Sequence, residues 1–254
     1  MPGSRPSSTV NPNHKRVYHY HVRKTAGTSL NSAFWALGGL DLQAMSGRQA
    51  VEGNGLRFVR GEPGLIAEGD YFFANSHQPA YRLRLPPATY TITILRDPAA
   101  RVISYYRYLL WARSDASARE AEPFIDDVIA ESAFLDRRLS LRRRESTFRD
   151  FLARVPAFHL SAQLHMFSER LDPSEAAENA LACSATCFTE TYAADLKRVA
   201  AELRLDLRET RERSFGETVV LADDERELLR ERLAPEYAMI DRVREGVRWY
   251  DPAR

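Results

Sequence analysis

The sequence predicts an α/β protein, with a central, mainly parallel sheet, helices on both faces and a helical C-terminal half. Short β-branched and aromatic runs alternate with stretches of helical spacing in the first half of the chain, the pattern of strand–helix–strand units. Beyond residue 119 the pattern is mostly helical, with one further strand candidate in TCFTE. The chain has 254 residues, 44% of them hydrophobic, enough to bury a sizeable core in one domain.

Each element has its own signal. Residues 1–16 are rich in Pro, Ser and Asn without periodicity and read as a flexible leader, so the fold starts near Val17 as one domain over residues 17–254. VYHYHV, Val17 to Val22, reads as a strand; a Gly-containing loop and the helically spaced SLNSAFWAL follow, ended by Gly38 and Gly39. Gly47 to Gly69 reads as loops with one short strand at LRFV, and DYFFAN, Asp70 to Asn75, as a buried strand. Thr89 to Leu95 combines alternation with β-branching. Pro98 then suits the first turn of a helix running to about Arg113. A last long helix is expected at 223–247, its dense Glu and Arg at helical spacings marking a solvated face.

Composition excludes several classes. The net charge of +1 provides no global field for nucleic acid or an anionic membrane, so any anion site is local. No uncharged apolar run approaches the ~18–20 residues of a membrane span, and the N-terminus lacks a signal peptide's apolar core. Two cysteines, Cys183 and Cys187, make no disulfide framework; the expected location is the cytoplasm. They also lack histidines at zinc spacing. Only three lysines, Lys15, Lys24 and Lys197, stand against 33 arginines, a bias that a GC-rich genome explains and that draws attention to any lysine retained.

One of these, Lys24, lies in Arg23-Lys24-Thr25-Ala26-Gly27-Thr28-Ser29, between the first strand and its helix. A strand running through such a loop into a helix aims backbone N–H groups and the helix dipole at one point. Lys24 adds a point charge, Gly27 permits close backbone approach, and Thr28 and Ser29 offer hydroxyls. The implied ligand is phosphate or sulfate, although the stretch alone also reads as an ordinary capped helix start. Walker A would need glycines at Tyr18 and Arg23, and a dinucleotide fingerprint at Gly53 and Gly55 would need one at Phe58. Arg96, at the C-terminal end of the third clear strand, points to the crevice where parallel sheets bind ligands. Ser104 follows two helical turns along, so a second phosphate could sit there; alternatively Arg96 pairs with Asp97 and Ser104 is only a helix serine.

Together, HVRKTAGTSL at 21–30 and ITILRDPAARVISYYRYL at 92–109 resemble the 5′-phosphosulfate loop and the 3′-phosphate element of sulfotransferases that use 3′-phosphoadenosine 5′-phosphosulfate. The likeness is to the carbohydrate O-sulfotransferase branch, which includes the heparan sulfate 2-O- and 6-O-sulfotransferases and bacterial relatives. It covers about residues 17–112 and is weaker for SAQLHMF and CFTETYAADL. It implies a P-loop-like three-layer fold and metal-free transfer of a sulfuryl group to a hydroxyl of a sugar or sugar-bearing small molecule, leaving adenosine 3′,5′-bisphosphate. Lys24 would stabilise the leaving oxygen. Thr25 to Ser29 would bind the 5′-phosphate, with Arg23 an added cation beside the sulfuryl group, and Arg96 with Ser104 would hold the 3′-phosphate.

His77, in Asn75-Ser76-His77-Gln78-Pro79, matches the branch's histidine ahead of the 3′-phosphate strand and is the expected base, its intrinsic pKa of about 6.5 suiting proton abstraction near neutrality. Glu190 is the carboxylate to consider if His77 is not. The other histidines read as structural. Two positions depart from the family pattern: Arg23 stands where proline is usual, and Ser76 where glycine is usual. RRLSLRRRESTFR, Arg137 to Arg149, reads as a solvated basic face or a contact for an acidic sugar. An ATP-dependent kinase with a divergent phosphate loop and a non-catalytic nucleotide- or glycan-binding module are the alternative readings.

Overall fold

A computed structural model of the chain describes residues 13–114, 147–210 and 219–247. Its centre is a six-stranded sheet in the order β2-β3-β4-β1-β5-β6, built from β1 (Arg16–Tyr20), β2 (Ala50–Gly53), β3 (Leu56–Arg60), β4 (Phe73–Ser76), β5 (Thr89–Leu95) and β6 (Ala185–Phe188). All neighbours pair parallel except β2 with β3. The helices described are α1 (Gly27–Trp35), α2 (Pro63–Glu68), α3 (Pro98–Ser114), α4 (Phe148–Arg154), α5 (Ala157–Leu160), α6 (Ala162–Phe167), α7 (Pro173–Leu181), α8 (Tyr192–Leu203), α9 (Asp223–Arg232) and α10 (Ala234–Gly246). The α/β class and mainly parallel sheet agree with the sequence reading. None of the described helices is long and apolar enough to cross a membrane.

Strand alternation sorts side chains between two helical layers. Val17, Phe73, Ile92 and Cys187 pack with Leu30, Phe34 and Trp35 of α1 and with Leu196, Val199 and Leu203 of α8. On the opposite face Tyr18, Val59 and Ala74 meet Ile66 of α2, while Leu95 and Phe188 join side chains of α6, α7 and α10. Each fully buried Leu or Phe contributes about 1.5–3 kcal/mol relative to exposure, so the two layers hold the sheet from both sides. A fourth cluster, away from the strands, packs α3 against α4 and α9.

Several boundaries differ from expectation. β1 starts at Arg16, inside the expected leader, whose residues 1–12 lie outside the described ones. The stretch from Gly47 to Gly69, read as loops around one strand, holds helix α2 and an antiparallel hairpin, β2–β3, turning at Asn54 and Gly55 with φ of 49° and 74°. Two consecutive positive φ values make the turn whose twist suits a hairpin, and Asn-Gly is its favoured pair. The expected helix at 223–247 is two helices, because Pro235 in the first turn of α10 has no N–H to continue the ladder of α9.

Nor is the last helix simply solvated. Glu236 is wholly buried, and its Oε1 accepts from Arg101 Nε at 3.2 Å and from Gln163 Nε2 at 2.8 Å. Arg101, also buried, donates further to the carbonyls of His159 and Leu160. Burying an ion pair is costly unless its remaining hydrogen bonds are made, and here the backbone of α5 takes those of the guanidinium. Glu236→Ala would leave Arg101 charged without its partner and is expected to cost about 3–5 kcal/mol in urea denaturation. Glu236→Gln keeps an acceptor and should cost clearly less; equal losses would show that charge pairing is not what matters there.

Candidate functional site

The C-terminal ends of β4, β1 and β5 lie side by side. Register pairs Tyr20 with Ser76 on one side and with Thr93 on the other. The chain leaves β1 to build one flank of the sheet, then returns to build the other from β5, so β1 is the point where strand order reverses. The crevice outside such a point is where open α/β sheets bind ligands. Three sequence motifs converge there: residues 21–27 after β1, His77 after β4 and Arg96 after β5.

Residues 21–26 connect β1 to α1. Lys24 and Ala26 have φ of 67° and 62°, left-handed values that cost L-residues about 1–3 kcal/mol each and gather at ligand sites. Left-handed residues separated by one other turn successive N–H groups toward a common concavity. No side chain caps α1 at Ala26, so the N–H groups of Gly27 and Thr28 have no intrahelical acceptor and the helix dipole adds positive potential. The Thr25 hydroxyl is not offered to a ligand: it is buried and donates to Val22 O at 3.0 Å, fixing the loop. Ser29 is also buried, its N–H used on Ala26 O, while Thr28 is half-buried.

Arg96 ties the second motif to the first by donating from Nη1 to Lys24 O at 3.2 Å. Its own backbone is clamped by the buried Gln163 side chain, which accepts from Arg96 N at 2.7 Å and donates to Arg96 O at 3.0 Å. Asp97 starts α3, its carboxylate accepting from Ala100 N. Ser104 and Tyr108 are one turn apart on a shared face of α3, and the Lys24 ammonium stands 4.2 Å over the Tyr108 ring. That face, with half-buried Ser104, therefore meets the loop. Glu190 accepts from Asp97 N at 2.8 Å and pairs with Arg244 at 3.7 Å; it holds the start of α3 and is not placed as a base.

His77 keeps ring surface open to solvent although protein crowds round it. Its Nδ1 lies 2.6 Å from His21 O. A carbonyl only accepts, so Nδ1 carries the proton and the neutral ring presents a bare Nε2. Loss of hydration first, and the nearby Arg23 charge second, hold its pKa well below 6.5. Ser76, the departure from the usual glycine, is buried with its Oγ shared between Tyr18 OH at 2.7 Å and Gln78 N at 3.1 Å, and so sets the turn that presents His77. Arg23, the other departure, is half-buried and also lowers the pKa of His159 after burial.

His21 and His19 adjoin His77. The rings of His21 and His77 are 4.4 Å apart, and those of His19 and His21 stack at 5.0 Å. The H-Y-H spacing was the available signal, since two positions two apart in a strand share a face. Gln163 and Glu236 gave none; only packing joins them to Arg96. Burial raises the Cys187 thiol pKa, which keeps it a thiol and not a nucleophile. Of the Arg137–Arg149 cluster, residues 137–146 lie outside the described ones, and Arg149 pairs with Asp224. No protein-family model matches the chain, and no curated protein matches it.

Burial lowers the His19 pKa to about 4, against the hydrogen bond to Asn31. Between the unfolded value of 6.5 and about 4 the unfolded chain binds a proton that the native ring refuses, so stability is present above pH 6.5 and is lost as pH falls through this window. Urea unfolding should show it, and His19→Gln should make the slope shallower by about 1.4 kcal/mol per pH unit. An unchanged slope would mean that His19 is protonated in the native state.

Proposed function

We propose that the protein is a sulfotransferase of P-loop-like fold that uses 3′-phosphoadenosine 5′-phosphosulfate, without metal, to sulfate a hydroxyl of a sugar or sugar-bearing small molecule. The observation that carries this reading is the meeting of two anion-binding motifs through the Arg96–Lys24 hydrogen bond, beside a histidine whose Nδ1 proton is tied down. The donor set suits a nucleotide with phosphates at two positions. The uncapped N–H groups at the start of α1 and Lys24 would hold the 5′ side, and Arg96 with Ser104 the 3′-phosphate. The resemblance of residues 21–30 and 92–109 to the family's two phosphate elements supports the same assignment.

Bound there, the nucleotide would supply an activated sulfuryl group, whose bond to the 5′-phosphate oxygen breaks with its electron pair leaving on that oxygen as the acceptor oxygen bonds to sulfur. His77 Nε2 takes the proton of the acceptor hydroxyl. The Lys24 ammonium would offset the charge that grows on the phosphate oxygen, an interaction stronger in the transition state than in the ground state. Held at its carbonyl by Arg96 and beneath its ammonium by Tyr108, Lys24 is positioned in advance and loses little freedom during reaction.

Adenosine 3′,5′-bisphosphate in EDTA should raise the melting temperature; at ~100 dissociation constants, binding adds about 2.7 kcal/mol. A larger rise with ATP and Mg²⁺ would instead favour the kinase reading. His77→Ala should keep bisphosphate binding and lose ~10²–10⁴-fold in turnover. Because the wild-type histidine is neutral far below pH 6.5, its rate should stay flat through 6.5 and drop only at more acid pH. Near-wild-type turnover by His77→Ala would remove it as the base.

A further inference from the structure

We propose that His21 is a second histidine of the transfer site, presenting a fixed Nε2–H donor beside the Lys24–Gly27 loop, and that Asn31 with His19 is the device that keeps the proton on that nitrogen. The role at the loop rests on the sulfuryl-transfer reading above; the proton arrangement does not.

Position comes first. The His21 ring packs against Gly27, so closely that a Cβ on Gly27 would stand 2.1 Å from His21 Cδ2 and 2.4 Å from its Nε2. The His77 ring lies 4.4 Å away and the His19 ring stacks at 5.0 Å. His21 thus fills the gap between the first turn of α1, where the anion-binding N–H groups are, and the proposed base. Gly27 is required here by the ring as much as by any ligand.

The proton arrangement follows from Asn31, buried in α1. Its Oδ1 is 2.8 Å from His19 Nδ1, and its Nδ2 is 3.4 Å from His21 Nδ1. An amide oxygen only accepts, so His19 carries its proton on Nδ1; an amide NH₂ only donates, so His21 Nδ1 holds a lone pair and the neutral ring's proton is on Nε2. Flipping the amide would move the His19 proton to Nε2, which is buried without a hydrogen-bond partner. A buried donor without an acceptor is rarer in proteins than an under-used acceptor, so the amide orientation is fixed by the buried histidine and in turn fixes His21. Asn31 is a positioning residue in this scheme.

The two Nε2 atoms then have opposite characters. His77 offers a lone pair to an acceptor hydroxyl; His21 offers an N–H to an anion at the loop and keeps its proton throughout. His21 also stays uncharged. Burial is the first cause that lowers its pKa, and His77 after β4, His19 from β1, Arg23 from the loop and Arg60 from β3 add positive or potential charge around it.

Long-range ¹⁵N–¹H spectra of the wild-type protein at pH 7 should show His21 as the Nε2–H tautomer and both His19 and His77 as Nδ1–H. Asn31→Leu removes both amide contacts and should leave His21 a mixture of tautomers while His77 keeps its Nδ1 proton. Asn31→Asp, a closer match in shape, can only accept and should move a proton onto His21 Nδ1. Titration with adenosine 3′,5′-bisphosphate should shift the His21 Nε2–H resonance together with the loop amides, and His21→Phe should bind the bisphosphate roughly tenfold or more weakly, with His21→Gln between the two. Wild-type His21 found as Nδ1–H, or a tautomer indifferent to both Asn31 variants, overturns the proposal. Loop amides that move while the His21 resonance does not overturn it alone; no response of loop or histidines to the bisphosphate overturns the sulfuryl-transfer reading and the donor role with it.

Discussion

The parallel pairing of β4, β1 and β5 is the constraint on which the rest of the structure depends. Because the three strands run the same way, with β1 and β4 ending in register and β5 running two residues further, the residues that follow them emerge at one edge of the sheet, whatever their separation in sequence. His21 N donates to Ser76 O as the last bond of one ladder, which sets the next residue, His77, beside the His21 carbonyl that orients it. A slip of one residue between β1 and β4 would turn each side chain to the opposite face and put His19 and His21 against α2 in place of Asn31.

The far half of the chain contributes by holding rather than by touching. Gln163 closes hydrogen bonds on both backbone groups of Arg96, and the same side chain donates to Glu236, which pairs with Arg101 one turn into α3. Strand end, helix start and C-terminal helix are thus joined by one buried polar network. Its bonds to Glu236 all fall on Oε1, while Oε2 is buried without a hydrogen-bond partner; the two bonds from Gln163 hold Arg96, which reaches the loop through Lys24 O.

How far the sequence discloses this depends on whether a feature is local. β5 begins and ends where alternation puts it, at Thr89 and Leu95, because its pattern is set by residues in one short run. Lys24, His77 and Arg96 stand in local motifs at strand ends, and the strand register brings those segments to one edge of the sheet. The Asn54-Gly55 turn was as local and went unread, since the short strand before it, Ala50–Gly53, carries little hydrophobic signal. Glu236 reads as one more charge on a solvated helix; only the fold brings Arg101 to it across 135 residues. The surroundings of His21 are non-local in the same way: a histidine at a strand edge has no distinctive local signature until Gly27, Asn31 and His77 surround it.

The central claim is that two anion sites, one at the uncapped start of α1 and one at Arg96 and Ser104, belong to a single nucleotide. A crystal structure of the protein with adenosine 3′,5′-bisphosphate tests it most directly. The account predicts the 5′-phosphate on the backbone N–H groups of the Lys24–Thr28 segment and the 3′-phosphate on Arg96 and Ser104, with His77 Nε2 left facing the space beside the 5′-phosphate. A bisphosphate bound away from α1, or bound at α1 with its 3′-phosphate directed away from Arg96, would contradict it.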